Sequence, residues 1–263
     1  MISFQARQDI IKSADIIERR AHSVYPHTSL SKLRKRYIDA YNISEYSSEP
    51  APMFFQKIYM KTNQLRGALR QSDSFFSDLI YGMQDKKVGN CFEEAALAQL
   101  IGKVNGQKNI YVGDILVEKE NVEGKRKIDH AVAFITDRKI EIGKSYGFKN
   151  KDAVIIDPWL GIADFAENYF TKLKNNFCKF FKELPNQDFL LYLIGTDSKD
   201  IKEFRKGRKA ACQNMDFSIR PASNFHWDKK KQILYKSFFP ELVIKEYKKI
   251  ELPKTTKSKS FEK

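Results

Sequence analysis

The chain has 263 residues, of which 42% are hydrophobic and 13% aromatic, and its net charge is +14. This composition argues against bulk disorder, and no apolar run approaches the roughly 18 residues of a membrane span, so we expect a soluble protein. The N-terminus shows no secretory signal pattern. Cys91, Cys178 and Cys212 are odd in number and have no metal-like spacing, which predicts free thiols, a reducing compartment and no metal site.

The positive charge is spread over several clusters along the chain. No helix-turn-helix, zinc-finger or RNA-recognition signature accompanies them, which argues against specific nucleic-acid binding. Solvated lysine faces explain such clusters most simply, while an anionic membrane surface and an acidic protein partner stay open as binding targets. The internal clusters are Lys32 to Arg36, Lys125 to Lys127, Arg205 to Lys209 and Lys229 to Lys231.

Residues 1–82 show helical periodicity and predict a helical N-terminal extension. Pro26 ends the first apolar pattern, and Glu49 to Pro52 is the clearest break in this half of the chain. The predicted helices run from about Ile10 to Val24, from Ser29 or Ser31 to Tyr41, from Met53 to Leu69 and from Phe75 to Tyr81.

After a helix that opens at Cys91, the apolar period changes to two, which predicts strands of a mostly antiparallel sheet. The order of helices, strands and further helix predicts an α+β fold, with its main domain over 83–247 and a flexible basic tail over 248–263. The later predicted elements are strands at Ile110 to Glu118, Ile128 to Thr136 and Asp152 to Asp157, turns at 121–124 and 143–147, a helix from about Asp164 to Lys182, and a strand from Asp188 to Gly195.

Cys91 follows Gly89 and Asn90 at the start of its predicted helix. Asn90 is a favoured N-cap type, so Cys91 takes the first helical position, where unpaired N–H groups and the helix dipole favour a thiolate. Gly89 lets a substrate approach the sulfur, and the Cys91 N–H is predicted to donate to an oxyanion. The charges of Glu93 and Glu94 oppose a thiolate, so the site requires a cationic partner.

His130 is the candidate for this partner. It lies in an otherwise apolar predicted strand, where a buried imidazole must find hydrogen-bond partners. Asp157 ends the next apolar strand, and its carboxylate can accept the far N–H of His130 and stabilise an imidazolium. Cys91, His130 and Asp157 then supply a nucleophile, a base and an orienting acid. Each residue taken alone also suits a structural role: a packed cysteine, a core histidine and a turn.

Three segments, Gly89 to Ala95, Asp129 to Val132 and Ile156 to Trp159, together resemble the papain-like and transglutaminase-like cysteine enzymes, especially Cys-His-Asp bacterial toxins and effectors that include glutamine deamidases. The resemblance covers roughly Val88 to Gly161. It implies a helix-borne cysteine packed on an antiparallel sheet that carries the histidine and the acid. Papain-like enzymes usually place an oxyanion-stabilising glutamine before the cysteine, and Gln84 is the nearby candidate.

The chemistry expected of this triad is attack of Cys91 on a carboxamide or peptide carbonyl, which gives a thioester that water or an amine resolves. A glutamine substrate makes the enzyme a deamidase or a transglutaminase, and a backbone amide makes it a cysteine protease. We expect Gln84, Asn90 and Trp159 to support the site, and no cofactor.

The resemblance also implies a protein substrate in a host cell, reached by delivery of the protein from the bacterial cytoplasm. The polar tail from Lys254 to Lys263 and the helical extension suit such a role. An alternative of another class is a non-catalytic protein whose basic surface binds an acidic partner. The oligomeric state is left open by the sequence.

Overall fold

The computed structural model describes residues 3–24, 51–72, 74–118, 125–141, 145–147, 152–169, 171–173, 215–219 and 227–252. Its helices are α1 (Phe4–Val24), α2 (Ala51–Arg70), α3 (Phe75–Lys86), α4 (Cys91–Val104) and α5 (Lys229–Phe238), followed by a 3-10 helix at Pro240–Leu242. Its strands are β1 (Ile110–Glu118), β2 (Lys125–Ile135), β3 (Ser145–Gly147), β4 (Val154–Asp157), β5 (Ile162–Phe165) and β6 (Met215–Ile219).

The six strands form one sheet in the order β3-β6-β1-β2-β4-β5, and every neighbouring pair is antiparallel. Helices pack on this sheet, so the predicted α+β class is confirmed. The sequence also placed α2, α3, the start of α4 and strands β1, β2 and β4 correctly, because each has a strong apolar period or a clear cap.

Helix α4 is the central helix of the core. Twelve of its 14 residues are buried, and it packs against α1, α3, β1 and β2. A helix that is apolar on nearly every side is expected to be enclosed in this way. The side chain of Gln99 ties it to the sheet, since its Nε2 donates to the Ile110 carbonyl at 3.1 Å. The start of α4 is therefore held in a fixed position relative to β1 and β2.

Helix α1 belongs to the same core as α4. It packs on α4, β4 and β5, and Arg7 anchors its first turns through an ion pair with Glu167 at 2.5 Å and a cation–π contact with Phe165 at 4.9 Å. The predicted division at residues 82 and 247 stays a prediction, but the extension contributes to the core. Its buried apolar residues recur every three or four positions: Ile10, Ala14, Ile17 and Ala21.

A tight hairpin joins β4 to β5. Asp157 pairs with Ile162, and the four residues between them turn back on themselves with the Gly161 N–H donating to the Pro158 carbonyl at 3.3 Å. Gly161 has φ +67, a left-handed conformation that favours glycine. Asp157 is thereby held at the last position of β4, next to the turn.

Two strands of the sheet, β3 and β5, were not predicted. The helix predicted from about Asp164 begins at residue 166, because residues 162–165 pair with β4 as strand β5. The turn predicted at 143–147 includes β3, which pairs with β6. Both strands are short and owe their conformation to pairing with distant residues, which local periodicity does not show.

Other predictions fall outside the described residues: the helix at 29–41, the turn at 121–124 and the strand at 188–195. Of the predicted tail, residues 248–252 are described, and Ile250 and Leu252 are buried in the core. Within the described residues, no helix is long and apolar enough to cross a membrane.

Two helix glycines test how closely α4 packs on the sheet. A Cβ on Gly102 would lie 2.8 Å from Cδ1 and 3.3 Å from Cγ2 of the buried Ile110, whereas a Cβ on the exposed Gly67 of α2 would meet nothing within 4 Å. We expect Gly102→Ala to lower the free energy of unfolding by about 1–3 kcal/mol. Gly67→Ala is the matched control and should raise it by about 1 kcal/mol. Urea unfolding measures both, and a stabilised Gly102→Ala would contradict this packing.

Candidate active site

Cys91 is the first residue of α4, as predicted. Asn90 is the N-cap, with an extended backbone, and its side-chain Oδ1 accepts the Cys91 N–H at 2.8 Å. The Glu93 carboxylate accepts the Asn90 N–H at 2.9 Å, which completes a capping box. The Cys91 side chain is buried, with 5% of the residue exposed. The sulfur therefore lies at the positive end of a well-capped, buried helix.

The charge of Glu93 is balanced by an arginine from another helix. Arg66 of α2 donates from Nε to Oε1 of Glu93 at 2.7 Å and from Nη2 to Oε2 at 3.2 Å. This paired geometry is the strong form of a carboxylate–guanidinium contact. Arg66 therefore offsets the charge of Glu93, which by itself would oppose a thiolate.

His130 lies at an irregularity in the β1–β2 ladder. Two residue steps of β1, from Asp114 to Leu116, lie opposite four steps of β2, from Ala131 to Lys127, so β2 carries two extra residues here. His130 falls within this bulge. A bulge interrupts the alternation of side chains and can redirect one of them. The imidazole is buried, with 2% of the residue exposed.

The structure brings the three predicted residues together. Nε2 of His130 donates to Oδ2 of Asp157 at 2.7 Å, and the His130 side chain is also hydrogen-bonded to the Cys91 side chain. Because Nε2 is bound to Asp157, Nδ1 is the ring nitrogen left to contact the sulfur. The order of groups is thus thiol, imidazole and carboxylate.

The surroundings of His130 favour its charged form. Burial lowers the pKa of His130, but the charge of Asp157, the hydrogen bond from Asp157 and the interactions with Cys91 raise it. The raising effects dominate, so the pKa lies above the ordinary value of 6.5. The raised pKa favours an imidazolium beside the sulfur, which is the kind of cationic partner that the sequence predicts.

Asp157 is held by two further donors. The Tyr169 hydroxyl donates to Oδ2 at 2.7 Å, the same oxygen that accepts from His130, and the Leu160 N–H donates to Oδ1 at 3.2 Å. Both Asp157 and Tyr169 are fully buried. Burial and then the charge of Asp157 raise the pKa of Tyr169 well above 10, so its hydroxyl keeps its proton for donation.

Trp159 lies beside His130, and its supporting role stays a prediction. Its ring lies 5.4 Å from the His130 ring, centroid to centroid, at an interplanar angle of 48°, and 4% of the residue is exposed. The β4–β5 turn that follows Asp157 carries it there. The two rings are therefore neighbours, and both side chains are buried.

The two predicted oxyanion donors, the Cys91 N–H and Gln84, differ in their surroundings. The Cys91 N–H already donates to Asn90, so it can serve an oxyanion only if the Asn90 side chain moves. Gln84 is exposed on α3, and its role stays a prediction. In the described residues, no group of three or more His, Cys, Asp or Glu side chains could hold a metal ion.

A further acidic side chain lies beside the site. Glu18 of α1 is buried, and its Oε1 would lie 3.9 Å from a Cβ placed on Gly161. Burial, then the charges of Asp15 and Asp157, raise the pKa of Glu18 to about 7, while Arg19 acts in the opposite direction. Glu18 is therefore close enough to Asp157 for the two charges to oppose each other.

Three residues of the site were not predicted from the sequence: Arg66, Tyr169 and Glu18. Arg66 and Glu18 lie on helices from distant parts of the chain, and Tyr169 follows the β4–β5 hairpin. Packing brings all three residues to the site. Only Glu18 had a sequence signal, because it follows Ile17 within an apolar helical pattern that predicts a buried face.

No family model, curated protein or solved structure matches this chain.

Tyr169→Phe tests the support given to Asp157. A hydrogen bond to a charged group contributes about 1.5–3 kcal/mol, and a neutral one about 0.5–1.5 kcal/mol. Tyr235→Phe is the matched control, because the hydroxyl of this buried tyrosine contacts the neutral Ser77 hydroxyl at 3.1 Å. We expect Tyr169→Phe to lower the free energy of unfolding in urea more than Tyr235→Phe. Equal losses would show that Tyr169 gives Asp157 no special support.

Asp157→Asn tests the charge on His130. Because Asp157 raises the pKa of His130 above 6.5, the resulting stability is fully present below pH 6.5 and is lost as the pH rises through the raised pKa. The variant should therefore lose about 3–5 kcal/mol of unfolding free energy below pH 6.5, and progressively less at alkaline pH.

Asp152→Asn is the control for this pH series, since Asp152 pairs with an arginine, Arg138, rather than with a histidine or a lysine. Its loss of stability should not decline over the same pH range. Urea unfolding at a series of pH values measures both variants. A loss for Asp157→Asn that grows with pH would contradict the assignment.

Proposed function

We propose that this protein is a cysteine-dependent acyl-transfer enzyme that acts on protein amides through Cys91, His130 and Asp157. The observation that carries the proposal is the buried imidazole of His130, which bridges the Asp157 carboxylate at 2.7 Å and the Cys91 side chain at the start of α4. Separate structural roles for the three residues would not require this ordered contact.

The reaction follows from the order of the three groups. Cys91 sulfur attacks the amide carbonyl carbon, His130 gives its proton to the leaving nitrogen, and the carbon–nitrogen bond breaks to leave a thioester. Water or an amine then attacks the thioester carbon and gives its proton to His130, and the carbon–sulfur bond breaks to release the Cys91 thiolate. Asp157 keeps the imidazole oriented and stabilises its cation throughout.

The burial of the site favours a glutamine side chain as substrate. Only 5% of Cys91 and 2% of His130 are exposed, so a reacting group must reach the sulfur through a narrow approach. A slender carboxamide side chain suits such an approach better than an extended peptide, which needs a long groove. Deamidation or transglutamination is therefore the preferred reaction, and proteolysis on the same fold is the alternative.

A papain-like or transglutaminase-like core belongs to the same proposal. Its support is the arrangement of a buried helix that begins with the cysteine and packs on an antiparallel sheet carrying the histidine and the acid. From the same resemblance, we propose that the protein is a bacterial effector that modifies a host protein. The tail residues 254–263 lie outside the described residues.

Cys91→Ala is the direct test of the activity. Host-cell lysate is exposed to the wild type or the variant, and its proteins are compared by mass spectrometry. The wild type should add about 1 Da at specific glutamines or form crosslinks, and Cys91→Ala should do neither, because the nucleophile is lost.

Cys178→Ala and Cys212→Ala are the matched controls, and both should retain the wild-type modifications. New chain termini that depend on Cys91 would replace the deamidase assignment with a protease. Identical lysates with and without Cys91 would favour the non-catalytic binding protein.

A further inference from the structure

Helix α5 exposes apolar side chains on the side that faces away from the core. Ile233, Leu234 and Phe238 are 58%, 50% and 65% exposed, while Tyr235 and Phe239 on the opposite side are buried in the core. Leu234 and Phe238 are four residues apart and so lie next to each other on the helix surface. Neighbouring apolar side chains in water are commonly part of a binding surface.

The helix that carries these side chains is fixed to the rest of the fold. Asp228 caps it by accepting the Lys231 N–H at 2.8 Å, and Gln232 Nε2 donates to the Val104 carbonyl at the end of α4 at 2.9 Å. The Tyr235 hydroxyl contacts Ser77 of α3 at 3.1 Å. The apolar side chains are therefore presented by a docked helix.

The same helix is strongly basic. Its sequence, KKKQILYKSF, holds four lysines and no acidic residue. Lys229, Lys230 and Lys236 are exposed alongside the apolar residues. We define the α5 outer surface as Lys229, Lys230, Ile233, Leu234, Lys236 and Phe238.

We propose that the α5 outer surface docks on an anionic phospholipid membrane. Aliphatic and aromatic side chains flanked by lysines match the boundary between lipid headgroups and acyl chains, where apolar groups enter and ammonium groups meet phosphates. Nucleic acid would use the lysines and leave Ile233 and Leu234 in water, and an acidic protein would need an apolar patch of its own. This inference does not depend on the proposed catalytic activity.

Vesicle sedimentation of the full-length protein tests the proposal. The vesicles are phosphatidylcholine alone, or phosphatidylcholine with roughly a quarter phosphatidylserine. Binding should require phosphatidylserine and weaken as salt is added. Phe238→Ser should reduce the binding constant about tenfold, because it removes a large apolar group from the contact. Lys230→Gln should reduce it about fivefold.

Matched controls lie elsewhere on the surface. Phe4→Ser removes a phenylalanine that is 77% exposed on α1, and Lys61→Gln removes an exposed lysine of α2. Both should bind vesicles as the wild type does. Absence of vesicle binding, or binding that Phe238→Ser leaves unchanged, would overturn the proposal. Recovery of an acidic protein through this surface without vesicle binding would replace the membrane with a protein partner.

Discussion

The site depends on one buried carboxylate. Asp157 accepts hydrogen bonds from His130, Tyr169 and Leu160, and its position at the end of β4 is fixed by the tight turn to β5. A buried carboxylate is costly unless it is hydrogen-bonded, and here the partners that satisfy it also orient the imidazole. The hydrogen bonds that stabilise the end of β4 and the raised pKa of His130 therefore both depend on the Asp157 carboxylate.

A second, independent set of contacts positions the Cys91 sulfur. Asn90 and Glu93 cap α4 so that Cys91 begins the helix, and Arg66 balances the carboxylate that the cap requires. The two sets of contacts meet at His130, which lies where β2 carries two extra residues relative to β1. Each set of contacts also stabilises the fold by itself. That the two sets meet at one sulfur and one imidazole is what supports a catalytic interpretation.

Sequence reasoning was strongest where the signal is local. The cap at Asn90, the helix that starts at Cys91 and the end of β4 at Asp157 follow from residue type and apolar period, and the structure brings the three predicted residues together. Tyr169 and Arg66 carry no local signal, because only packing brings them to the site. Strand β5 was not predicted, because its period is weak and its conformation depends on pairing with β4. The engagement of the Cys91 N–H by Asn90 is likewise a geometric fact that residue types do not reveal.

The most direct test of this account compares two alkylating agents at Cys91. Iodoacetate is an anion and iodoacetamide is neutral, so an imidazolium beside the sulfur should favour iodoacetate. We expect the ratio of the iodoacetate rate to the iodoacetamide rate at Cys91 to be high in the wild type and to fall in His130→Gln. The same ratio in both proteins would contradict the claim that His130 is held as a cation beside the sulfur.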